Sequence, residues 1–103
     1  MIARTWRGRA TSNNADAYER HFVGNVLPEL KELTGNRGNW LLKREVDGNV
    51  EFLALTVWES RDSIRAFAGE NISKAHVEPQ ARAVLSAFDE HADHYEIAVS
   101  PFS

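Results

Sequence analysis

Asn39-Trp40-Leu41-Leu42-Lys43-Arg44-Glu45-Val46, then Asp47-Gly48-Asn49, then Val50-Glu51-Phe52-Leu53-Ala54-Leu55-Thr56-Val57-Trp58 form two β-rich runs separated by an Asp-Gly step. A tight hairpin turn needs positive φ at its centre, which Gly and Asp tolerate, so the stretch reads as an antiparallel pair over 39–46 and 50–58. Side chains alternate between the two faces of a strand. One face of the second run carries Phe52, Ala54, Thr56 and Trp58; the other carries Leu53, Leu55 and Val57. Both faces are apolar, and both need cover. A chain of 103 residues holds too few further elements to cover both by itself, so a second copy is expected against one of them.

Outward from the hairpin, residues 2–10 alternate bulky or β-branched residues with arginine and end at Thr11-Ser12-Asn13-Asn14, the pattern of a strand followed by a helix start. Ser12, Asn13 and Asn14 can each cap that helix, because their side-chain oxygens accept amide protons of its first turn. Tyr18, Phe22, Val26, Leu30 and Leu33 recur every three or four residues, an apolar stripe that predicts a helix over about 14–33. Pro28 lacks an N–H and is expected to kink this helix, or to divide it after Asn25. Gly35-Asn36-Arg37-Gly38 reads as a loop.

After the hairpin, Ser60 caps a second helix with Ile64, Phe67 and Ala68 on its apolar side and Gly69 at its end. Residues 70–78 read as an irregular link. Pro79 suits the first turn of a third helix, with Ala81, Val84, Leu85 and Phe88 inward. His94 to Val99 reads as a fourth strand. The order β-α-β-β-α-(α)-β predicts an α+β, ferredoxin-like antiparallel sheet with helices on one face, in a single domain over 1–103.

A formal net charge of −3 argues against generic nucleic-acid binding, and the basic residues, among them Arg4, Arg7, Arg9, Arg37, Lys43 and Arg44, interleave with acidic ones as on a solvated surface. Cysteine is absent, which excludes disulfides and thiolate chemistry and fits a reducing cytoplasm, the expected location. No apolar run approaches the roughly 20 residues that span a bilayer, and Arg4 interrupts the first short one, so neither a membrane anchor nor a signal peptide is expected.

Nearly the whole chain resembles the antibiotic biosynthesis monooxygenase family. The resemblance rests on Met1-Ile2-Ala3-Arg4-Thr5-Trp6, Gly35-Asn36-Arg37-Gly38, Glu51 to Ser60 with its Trp58-Glu59-Ser60 step, Ile64 to Gly69, and His94-Tyr95-Glu96. It implies a dimeric α+β barrel in which two sheets pack face to face, with a pocket in each monomer between sheet and helices. In its polyketide-oxidising branch a phenolic substrate lies near a tryptophan, which Trp58 resembles, while Ala54 and Ile64 stand where Asn and Tyr neighbours would be. In its haem-degrading branch the first strand carries an Asn that is missing here, Phe67 stands where a Trp would be, and His76 resembles the iron ligand.

The resemblance and the residues together point to a cofactor-independent monooxygenase of a small aromatic compound, with no metal and no cofactor. A non-catalytic small-molecule-binding or structural homodimer is the alternative, and haem binding or degradation through His76 the third reading. Trp58, Phe67, Tyr18, Trp6 and Arg4 are the expected substrate-binding residues. His94 is the expected general base if it faces the pocket, since its ordinary pKa lies near neutrality. Trp58 and Tyr18 read equally well as core, and a buried Arg4 needs an anionic partner, first of all a carboxylate. His91 and His94, three apart on a strand, would face opposite ways and share no metal; His21, beside the apolar stripe, is expected in solvent.

Overall fold

The computed structural model describes residues 1–101. Strand β1 (Ile2–Thr11) leads into helix α1 (Ser12–His21), a π-helical turn (Phe22–Val26) and helix α2 (Leu27–Glu32). Strands β2 (Asn36–Val46) and β3 (Asn49–Trp58) form the hairpin, and α3 (Arg61–Ala68), α4 (Pro79–Val84), β4 (Ala87–Phe88) and β5 (Asp93–Glu96) follow. The antiparallel sheet runs β2-β3-β1-β4, with β5 also on β1, and the helices cover one of its faces. This is the expected ferredoxin-like α+β arrangement.

Asp47 and Gly48 both have positive φ, 52° and 79°, so the turn has the twist that hairpins favour. It sets the register Leu42↔Leu53, Trp40↔Leu55 and Gly38↔Val57, and hence which side chains share a face. Phe52, Thr56 and Trp58 are buried under the helices, as the alternation requires. The loop before β2 is shorter than its sequence indicates, because Asn36 to Gly38 already pair with β3 through an irregular step.

The long helix divides as Pro28 demands, but by widening. The Leu27 amide donates to the Phe22 carbonyl, five residues back, and Pro28 then sits in the first turn of α2, where its missing N–H costs no bond. Thr11 occupies the N-cap of α1 and makes no side-chain bond there; none of Ser12, Asn13 and Asn14 caps it, and the Ser12 hydroxyl donates to the Gly48 carbonyl instead (2.9 Å). By contrast Ser60 caps α3 through a reciprocal pair of bonds with Ser63, and Gly69 ends it.

The expected fourth strand, His94 to Val99, forms only as β5 and ends at Glu96, and an unexpected two-residue strand, β4, precedes it. Phe88, read as helical, pairs with Gly8 in β4. Between β4 and β5 the chain leaves the edge of β1 and pairs with the link, Ala75 N–H to Glu90 O and Ala92 N–H to Ser73 O. Two core clusters result, one around Tyr18, Phe52 and Leu85, the other around Phe22, Leu30, Trp58 and Ile64. Among the described residues no helix is long and apolar enough to cross a membrane.

Candidate functional site

Where the two clusters meet, the sheet and helices leave a cavity of about 50 Å³. Arg4 and Trp6 of β1 and Ala54 and Thr56 of β3 form its floor. Tyr18, His21, Phe22 and Leu30 come from the divided helix, Phe67 from α3, and His76, Val77 and Glu78 from the link. A water needs about 10–15 Å³ on this measure, so the space admits a few waters. Four of the expected binding residues, Trp6, Tyr18, Phe67 and Arg4, line it.

Trp58 does not line it. Its side chain is fully buried in the second cluster, with Nε1–H donating to Thr56 Oγ1 at 2.8 Å and its ring 6.2 Å from that of Phe67. It backs the cavity wall from behind.

Arg4 is 5% exposed and has no carboxylate partner among the described residues, against expectation. It is satisfied by neutral acceptors: the carbonyls of Ile72 and of Lys74 (3.3 Å), and His94 Nε2 at 3.0 Å. Burial lowers its pKa to about 10, which leaves it cationic at neutral pH. The register Arg4↔His94 fixes which face the histidine takes, the inner one. A guanidinium only donates, so Nε2 accepts and His94 is neutral with its proton on Nδ1. Desolvation first, then the charges of Arg4 and Arg61, hold its pKa below the usual histidine range. His94 thus stands behind Arg4, off the cavity wall, with its basic nitrogen occupied. His91 lies outside β5 and exposed, bridging to Lys74, and does not meet His94.

His21 is the residue that pattern reading misplaces. It is 8% exposed, on the cavity wall. Lying three residues beyond Tyr18, it shares the inward side of the helix with Phe22; the one available signal was its i+3 spacing from a buried aromatic. The Asn25 amide meets Nδ1 at 3.2 Å, and the buried Nε2 has no partner among the described residues. The Tyr18 hydroxyl is likewise without a partner among them, and burial pushes its pKa up, so it stays protonated. His76 is exposed at the rim, its ring edge-on to Phe67 with centroids 4.9 Å apart.

No family model matches the chain, and no curated protein matches it in sequence. Solved structures do match its shape. SnoaB, a cofactor-independent oxygenase from Streptomyces nogalater solved as a mutant, superposes with a TM-score of 0.70 at 15% identity, over 97% of this chain and 95% of that one. MhuD, a haem-degrader from Mycobacterium tuberculosis solved with two haems in its active site, gives 0.66 at 17% identity, over 97% and 98%. A Bacillus cereus protein assigned to the antibiotic biosynthesis monooxygenases gives 0.66 at 16%, over 97% and 94%. At such identities the likeness speaks for architecture alone, and the chain has the fold of the antibiotic biosynthesis monooxygenases.

Proposed function

We propose that this chain is a homodimeric oxygenase, independent of any cofactor, that acts on a small phenolic compound in the cavity between sheet and helices. The observation that carries the reading is an aromatic-walled cavity containing a buried cation, Arg4, that pairs with no carboxylate among the described residues. Arg4 suits a phenolate oxygen, and His21 stands on the same wall with a free nitrogen. In the orientation seen, the Asn25 amide donates to Nδ1, which puts the His21 proton on Nε2 as a donor. Turning that amide end over reverses the bond and presents the Nε2 lone pair as a base.

The reaction needs no metal or flavin when the substrate supplies the electrons. His21 takes the phenol proton, and the phenolate passes one electron to O2. Superoxide and the ring radical then join at carbon, and the hydroperoxide loses water to give a quinone. One oxygen atom ends in the product and the other in water. Arg4 holds the phenolate, and His94 positions Arg4. An aromatic ring is larger than the present space, so it enters as Arg4 exchanges the carbonyls of Ile72 and Lys74 for the ligand and residues 72–78 move outward.

The dimer in this reading forms through the outer face of the sheet, where Trp40, Leu42 and Tyr95 are 41%, 46% and 57% exposed beside Leu53, Leu55 and Val57. The cytoplasm remains the expected location.

Oxygen uptake across a panel of hydroquinones and naphthols is the test. Uptake is expected for at least one, with His21→Ala lowering turnover by about 10²–10⁴-fold at unchanged fold. Panel members that quench tryptophan fluorescence yet consume no oxygen would overturn the catalytic reading and leave a binding dimer, which the small cavity and Ala54 in its floor favour. A Soret shift on adding haem would instead move the assignment to haem, with His76 as the iron ligand.

A further inference from the structure

Three side chains meet at the rim of the cavity from two separate parts of the chain. Glu29 comes from α2; His76 and Glu78 come from the link that closes over the cavity. Each offers one ligand atom, and the three atoms lie within 4.8 Å of one another. None of these side chains makes a hydrogen bond or ion pair among the described residues. Two carboxylates brought together with no cation are an unfavourable arrangement that a counter-ion relieves.

A second observation points to a ligand in the same cavity. His21, Asn25 and Glu29 follow one another at four-residue spacing along the divided helix. The first member of that row is the buried imidazole whose Nε2 lacks a partner, and it lines the same cavity as His76 and Glu78. Asn25 is spent on His21 Nδ1, which leaves His21 Nε2 and the Glu29 carboxylate of the row, with His76 and Glu78 of the link, without hydrogen-bond partners among the described residues.

We propose that Glu29, His76 and Glu78 bind one divalent transition-metal cation at the cavity rim. One neutral imidazole and two carboxylates balance a 2+ charge and form a mixed N/O donor set, which suits Mn²⁺, Fe²⁺, Co²⁺ or Zn²⁺ better than Ca²⁺, whose ligands are all oxygen. Ligand bonds of about 2.0–2.2 Å bring the donor atoms to about 3.0–3.5 Å of one another, a closure that glutamate rotamers supply. The edge of Phe67 already fixes the ring plane of His76. Water, or an oxygen of the cavity's occupant, fills the remaining positions. The bound cation ties α2 to the 76–78 segment and holds the cavity shut. The site stands whether or not the cavity is catalytic.

Calorimetric titration of chelator-treated protein with Mn²⁺, Zn²⁺ and Ca²⁺ tests it, with melting temperature followed in parallel. One equivalent of Mn²⁺ or Zn²⁺ per chain is expected, with Ca²⁺ weaker, a melting temperature that rises with metal concentration, and slower amide exchange over residues 72–78. His76→Ala and Glu29→Gln should each weaken binding by at least about tenfold; both residues are exposed, so the variants fold. His91→Ala, which removes an exposed histidine outside the cluster, should change nothing. Absence of one-to-one binding, or binding that survives His76→Ala and Glu29→Gln but falls with His91→Ala, would overturn the proposal.

Discussion

The two faces of the sheet are built from the same strands and nearly the same residue types, yet they differ in burial and in how their polar groups are paired. On the inner face Phe52 and Trp58 are 1% and 0% exposed; on the outer face Trp40 and Leu42, paired with the same β3, are 41% and 46% exposed. Even the way a tryptophan lies down is shared. Trp6 covers Gly8 on the inner face and Trp40 covers Gly38 on the outer, so that a methyl group on either glycine would stand 2.9 Å from the indole. The polar groups differ as well. Inside, Arg4 is held by carbonyls and an imidazole; outside, Arg9 and Arg44 close on Glu51 at 3.1 and 2.9 Å, with Arg7 at 3.9 Å. Residue type therefore does not decide burial here. Cover does: one face has helices, and the other has none.

The sharpest way to break this comparison is to substitute one apolar residue on each face. Trp58→Ala removes a fully buried indole and strands the Thr56 hydroxyl, at a cost of about 3–5 kcal/mol in urea unfolding. Leu55→Lys leaves the inner core intact, so the chain should stay folded by circular dichroism while sedimentation velocity shows a dimer becoming a monomer. A Trp58→Ala cost below about 1 kcal/mol would mean that the inner face is no packed core. An unchanged sedimenting species for Leu55→Lys would mean that the outer face is not where copies meet.

The glycine pair sharpens the same contrast at smaller scale. Trp6 is anchored by Nε1–H to the Asp89 carbonyl (2.7 Å) and packs against Tyr18 and Phe88, so Gly8→Ala forces a strained shift costing about 1–2 kcal/mol. Trp40 has no such anchor among the described residues and is free to swing, so Gly38→Ala should cost about 0.5 kcal/mol or less in dilute protein. Equal costs for the two would show that Trp40 is held as firmly as Trp6, as it would be within a dimer.

The architecture was legible because period-2 and 3.6-residue patterns, the Asp-Gly turn and the Ser60 cap are local signals. Pro28 announced the division of the helix, though not that a π-helical turn would carry it, since that depends on which carbonyl the Leu27 amide reaches. The site was less legible. Trp6, Tyr18 and Phe67 could be placed on the inner side from spacing, but His21 reads as polar and therefore exposed when an apolar stripe is traced. Arg4 was seen to need a partner, yet a carboxylate was the wrong guess, because the carbonyls that satisfy it belong to the link, which has no periodicity to read. The meeting of Glu29 with His76 and Glu78 is likewise tertiary and has no motif.

Acid separates the two faces most gently. His94 has its pKa held below the ordinary 6.5, first by desolvation and then by Arg4. The folded state thus resists its protonation, and the stability it contributes is present above about pH 6.5 and is lost as pH falls from there through the lowered folded value. A protonated His94 also abandons Nε2 as an acceptor and sets two cations side by side. Glu51 has its pKa held below the ordinary 4.5, first by the hydrogen bond from Arg44 and then by that from Arg9, so its contribution is lost only as pH falls below that range. Melting temperature against pH should therefore decline in two stages, the first removed by His94→Gln and the second by Glu51→Gln. Both stages are small, because the imidazole is half-buried and the arginines on Glu51 lie largely in water. If the first stage survives in His94→Gln, the coupling of His94 to Arg4 is not what holds the inner face together near neutrality, and the link owes its position to the bonds from Arg4 to the Ile72 and Lys74 carbonyls and to its backbone pairing with residues 90–92.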